Sequence, residues 1–144
     1  MSSAPPPIND AAQHMTTNVP QALALGMRLV SVEGGKGRME VPWREDLVGD
    51  PDSDVIAGGV VTSLLDHTCG LAIHAADPEN QLRPATLDLR IDYMRPAAPR
   101  AGVTAEAHCY KITRSVAFVR AQAWDVDPDD PIATVQAAFM LSAR

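Results

Sequence analysis

The chain has 144 residues, 46% hydrophobic and 21% charged, a globular balance with room for one core and too short for two domains of usual size. Twelve Lys and Arg stand against 18 Asp and Glu, so a net charge of -6 opposes binding to nucleic-acid phosphates, and two each of Phe, Trp and Tyr leave little for base stacking. Two cysteines, Cys69 and Cys109, are too few for a disulfide framework and lack paired zinc spacing; both read as reduced, buried thiols.

No apolar run approaches the roughly 20 residues of a membrane span. Met1 to Asp10 has no basic residue leading into an apolar stretch, so no secretory signal is read and the expected location is the cytoplasm. Residues 1–18, with Pro5 to Pro7 and no periodicity, read as a flexible arm, and 19–144 as one domain. A short helical turn is expected over Pro20 to Leu25, capped by Asn18 and stopped by Gly26. Two β-leaning runs follow, Met27 to Glu33 and Lys36 to Trp43, joined at Gly34-Gly35, a pair suited to a hairpin turn. The GGKG stretch lacks the longer frame of a phosphate loop, so the hairpin reading is preferred.

Residues 44–57, with Gly49, Pro51 and five acids, read as a polar loop. From Gly58 to about Ala76, Val61, Leu64, Leu65, Thr68, Leu71, Ala72 and Ala75 recur at helical spacing and predict one long helix with a buried stripe. Next, Leu87, Leu89, Ile91 and Tyr93 alternate with polar residues in a half-exposed strand. Val103 to Thr113, Val116 to Val126 and Ile132 to Leu141 read as three more strands, and the short connections suggest a meander. Six strands and one long helix predict an α+β fold, an antiparallel sheet wrapped on a central helix.

The second face of the helix carries Gly59, Thr62, Ser63, Asp66 and Gly70, a line of small or polar residues around one carboxylate. Gly58 and Gly59 open the helix, where unpaired amides and the positive end of the dipole would stabilise a developing oxyanion. An isolated charge among Leu64, Leu65, Cys69 and Leu71 requires a partner or a chemical role. The alternative is that the glycines merely start the helix and Asp66 is a solvated charge. Eight positions at 1.5 Å each separate Gly58 from Asp66 by about 12 Å. If both act on one carbonyl, they come from two copies of the helix related by a two-fold axis, and the catalytic form is a dimer.

The segment Ala57-Gly58-Gly59-Val60-Val61-Thr62-Ser63-Leu64-Leu65-Asp66, followed by Gly70, resembles the HGG-x6-D signature of hotdog-fold acyl-CoA thioesterases of the PaaI-like group. The run Thr86-Leu87-Asp88-Leu89-Arg90-Ile91-Asp92-Tyr93-Met94-Arg95-Pro96-Ala97 resembles that family's strand after the helix. The resemblance implies a hotdog fold, dimers or tetramers, and hydrolysis of coenzyme A thioesters without a cofactor or metal. By its pattern the Gly58 amide binds the thioester oxygen, and Asp66 of the facing subunit acts as general base or as nucleophile. Gly59 and Ser63 lie on the same face; Asp50 and Thr86 fall where the family has polar groups at the site. Arg95, Arg114 and Ser115 match regions that touch the coenzyme A arm.

One departure is Ala57, which stands where the family has a histidine; the alternative it raises is a noncatalytic hotdog module that binds an acyl-CoA-like ligand. Other chemistries fit less well. His67 lies two positions from Cys69 and His74 five, poor spacings for an in-helix base to a nucleophilic thiol. His67 and His74 are about 10.5 Å apart along the helix with no third ligand, so no metal site is read. A dehydratase of the same fold would pair an Asp with a His, and that pair is not found.

Overall fold

The computed structural model describes residues 18–77, 79 and 81–143; the flexible arm expected over 1–18 lies outside the described residues apart from Asn18. The first helix, α1 (Pro20–Leu25), is capped by Val19 and not by Asn18. Pro20 fixes its own φ and pushes the preceding residue out of the helical region, and Val19 is accordingly extended at φ -96, ψ 112. Gly26 ends the helix in the left-handed region at φ 74, as expected.

Strands β1 (Arg28–Glu33) and β2 (Lys36–Val41) form the first hairpin. Gly34 and Gly35 have φ of 54 and 76, the pair of positive values that a tight two-residue turn needs. Gly37 serves packing instead. A Cβ there would lie 2.8 Å from the Leu71 side chain, so its hydrogen is what lets the long helix approach β2. The glycines of GGKG are thus absorbed by a turn and a close packing contact. β2 stops at Val41, short of Trp43, because Pro42 has no N–H for the ladder.

The polar loop contains a 3-10 turn at Glu45–Leu47 and an isolated bridge between Val48 and Ile56, and it buries Leu47 and Ile56. The long helix α2 (Gly58–Ala76) follows. All seven residues of the expected stripe are buried, joined by Cys69 and Ile73. Strands β3 (Leu82–Tyr93), β4 (Val103–Ile112), β5 (Val116–Trp124) and β6 (Ala133–Ala143) complete one six-stranded antiparallel sheet. The helix packs on β2, β4 and β5, where Ala105, Ala107, Ala117, Ala121 and Ala123 keep the sheet surface low enough for the helix to sit close. This is the helix-and-sheet arrangement of a hotdog fold.

The strand order, β1-β2-β4-β5-β6-β3, departs from a simple meander: β3 lies beside β6, and β4 pairs with β2. Residues 94–102 carry the chain across the ends of β5 and β6, too long a connection for a hairpin. Arg95 holds it there through a bidentate ion pair to Asp125, at 2.7 and 3.0 Å, and a 3.2 Å contact to Asp130. The alternation expected along β3 also breaks. A bulge between Thr86 and Asp88 leaves Leu87 without a partner on β6 and turns it outward, 53% exposed. β3 is an edge strand, which is why it tolerates Pro84.

Candidate active site

The start of α2 is built by backbone constraints. Ala57 is extended at φ -60, ψ 142, and its N–H donates to Leu47 O at 2.9 Å, which ties the helix entry to the preceding turn. A Cβ on Gly49 would lie 3.3 Å from Ala57, so the Asp50 turn packs beside this entry. Among the described residues, the amides of Gly58 and Gly59 donate to no acceptor in the chain. That is the condition a helix N-terminus needs to receive an anionic oxygen.

Three hydroxyls furnish this end. Tyr93 Oη donates to Gly58 O at 2.9 Å, Thr62 Oγ1 donates to the same carbonyl at 3.1 Å, and the two hydroxyls contact each other. Ser63 Oγ donates to Gly59 O at 2.9 Å. Strand periodicity accounts for Tyr93 without giving it a place at this site. An exposed aromatic at the end of the strand, next to the Arg95-Pro96 turn, is the signal the sequence offers, but the contact spans 35 positions of chain.

Asp66 sits two turns further along α2, half-buried, and its Oδ1 accepts a 2.8 Å hydrogen bond from Thr86 Oγ1 on β3. The structure thus joins Asp66 to Thr86, and Gly58 and Gly59 to Ser63, as two separate groups within one protomer. Asp50 lies exposed at the loop tip, where its carboxylate accepts the Asp52 N–H at 3.0 Å. Arg114 and Ser115 lie exposed at the β4–β5 turn, and Ser115 O accepts the Leu141 N–H at 2.8 Å. That turn shares its end of the sheet with Thr86, since β5 and β3 both pair with β6 around Phe139.

Arg95 is engaged within the chain. Its five N–H groups go to Asp125, twice, to the Asp130 carboxylate, to Asp130 O and to Pro96 O. These contacts stabilise the guanidinium charge and hold the Asp125 carboxyl well below the usual carboxylate range. The residue therefore braces the 94–102 connection, and no donor is left over for a phosphate.

The rival groups are electrostatically quiet. Burial pushes the Cys69 thiol far above its ordinary range, with the Asp66 carboxylate and Cys109 adding to the rise, so a thiolate there is disfavoured. Burial raises the Cys109 thiol as well. Burial lowers His67 despite the opposing pull of Asp66, which favours its neutral form. Among the described residues no group of three or more His, Cys, Asp or Glu side chains is placed to hold a metal ion, and no helix is long and apolar enough to cross a membrane.

Beside Gly58 and Tyr93 lies a cavity of about 370 Å³, walled mainly by apolar side chains including Ile56, Val61, Met94, Ala97 and Ile132.

Comparison with known proteins is consistent with this geometry. The profile of the thioesterase superfamily matches residues 54–132, which include both the helix and its partner strand β3. A putative esterase of Halobacterium salinarum is 31% identical over 94 residues, a match covering 64% of this chain and 61% of that protein's length. The medium/long-chain acyl-CoA thioesterase YigI of Salmonella typhimurium is 28% identical over 136 residues, 86% of each chain. A Pseudomonas aeruginosa protein of known crystal structure superposes with a TM-score of 0.85 at 36% identity, covering 93% of this chain and 98% of that one. PaaI from the phenylacetic acid degradation operon of E. coli superposes with a TM-score of 0.80 at 18% identity, covering 92% and 91%, a likeness of fold. On the profile match and the shared architecture, the chain belongs to the thioesterase superfamily and has its hotdog fold.

Proposed function

We propose that the protein is an acyl-CoA thioesterase, hydrolysing a coenzyme A thioester to a free acid and coenzyme A. The reading rests on one observation above all: α2 carries at its start two amides with no acceptor among the described residues and, eight positions on, a carboxylate oriented by Thr86. In this reading the thioester oxygen sits on the Gly58 amide, with Gly59 and Ser63 beside it. Asp66 takes the proton from a water that attacks the carbonyl carbon, or attacks that carbon itself. The tetrahedral oxyanion collapses and expels the coenzyme A thiolate, which takes up a proton; where Asp66 itself has attacked, a water then hydrolyses the mixed anhydride to the free acid and restores the carboxylate. The separation of about 12 Å along the helix requires the amide and the carboxylate to come from two protomers. The acting form is therefore a homodimer, alone or paired into a tetramer, and its place is the cytoplasm. Asp50, Arg114 and Ser115 are left as secondary contacts to substrate; Arg95 acts through the loop it braces.

The relatives support the class of reaction: YigI carries the acyl-CoA thioesterase name and the Halobacterium protein the esterase name. A second reading, a noncatalytic acyl-CoA-binding module, is favoured by the methyl side chain of Ala57, which offers no polar group beside the helix entry. A panel of acyl-CoA substrates with a thiol-detecting dye separates the two. Wild type should release free thiol and Asp66→Ala should release it at least about 100-fold more slowly. Tight binding of an acyl-CoA with no thiol release would establish the module instead.

A further inference from the structure

We infer that the cavity beside Gly58 receives the acyl group of the substrate and selects uncharged, apolar chains of medium length over both acetyl and chains ending in a carboxylate. This rests on the thioesterase reading and adds the substrate class to it. Gly58 itself lines the cavity, so a thioester oxygen held on its amide brings the acyl chain beside it. The wall is mainly apolar: Ile56, Val61, Ala97 and Ile132 are buried, and Met94, exposed, stands beside Pro96. At about 370 Å³ it is more than twice the roughly 150 Å³ of an apolar protein cavity that accepts benzene, and far more than an acetyl group fills.

The charge selectivity comes from Arg95. Among the described residues of one protomer it alone carries a formal charge in the lining, and its five donors are all committed to Asp125, Asp130 and Pro96. A carboxylate at the far end of an acyl chain would give up part of its water against these walls and find no free cation among the described lining residues in exchange. An alkyl chain loses nothing of the kind and gains about fourfold in binding per buried methylene.

Octanoyl-CoA and octanedioyl-CoA, which differ by the terminal carboxylate, test this with acetyl-CoA as the short reference. The expected result is a kcat/KM for octanoyl-CoA at least about 100-fold above that for either other substrate. Ala97→Leu, which fills the cavity, should lower the octanoyl-to-acetyl ratio of kcat/KM by about tenfold or more. Met94→Ala, at an exposed position that does not threaten folding, should lower the same ratio about fourfold. Equal rates on the octanoyl and octanedioyl substrates, or a ratio that neither variant changes, would overturn the acyl-pocket assignment and leave the thioesterase reading standing. A wild type that cleaves none of the three would remove the thioesterase reading, and this inference with it.

Discussion

Two inactive variants of this protein should restore each other when mixed. Asp66→Ala removes the carboxylate. Gly58→Pro removes the amide donor with little other change: proline is at home at the first helical position, and Ala57 already has the extended conformation that a residue before proline prefers. The Gly58 N–H has no acceptor among the described residues, so no internal hydrogen bond is lost. Loss of one oxyanion donor costs about 10²- to 10³-fold in kcat, or about 3 to 4 kcal/mol, and loss of a general base about 10²- to 10⁴-fold. Each variant alone should therefore retain about 1% of wild-type activity or less. Co-expressed in equal amounts, half of the random pairs are hybrids. In each hybrid, one of the two interface sites combines an intact Gly58 from one chain with an intact Asp66 from the other. Thiol release per protomer should thus rise to about a quarter of wild type. Activity that stays at the level of the separate variants would show that both groups serve from the same chain, or that neither serves.

Thr86→Val keeps the shape of the side chain and removes the 2.8 Å hydrogen bond to Asp66; kcat should fall by about tenfold or more, the equivalent of a charged hydrogen bond, with little change in melting temperature. Gly37→Ala places a methyl 2.8 Å from Leu71, and urea denaturation should report a loss of about 1–3 kcal/mol; unchanged stability would mean that the helix yields without cost. The Asp125 carboxyl is lowered in the folded state, so its stabilising contribution is full above the unfolded Asp value near 3.9 and is lost as the pH falls below it. Asp125→Asn should therefore narrow the gap in stability between neutral and strongly acidic pH, and an acid unfolding curve unchanged in shape would contradict that role.

Local spacing made much of this fold legible. The buried stripe of α2, the positive-φ turn at Gly34-Gly35 and the glycine stop of α1 all concern residues close together in the chain, where local period and backbone preference alone decide the outcome. The signature around Gly58 and Asp66 lies within ten consecutive residues and carries the resemblance to the superfamily without any long-range contact.

Long-range pairing was another matter. That β3 joins β6 at the sheet edge, that a bulge at Leu87 cancels its alternation, and that Tyr93 reaches back to Gly58 follow from contacts between residues far apart in the chain. Arg95 shows the difference most clearly. Its Y-M-R-P run matches a region that touches the coenzyme A arm in the family, and only the fold brings up Asp125 and Asp130, 30 and 35 positions on, to occupy its donors. Periodicity carries no information about such partners, because the free energy of an ion pair depends on which chain segments the whole fold brings within a few ångströms.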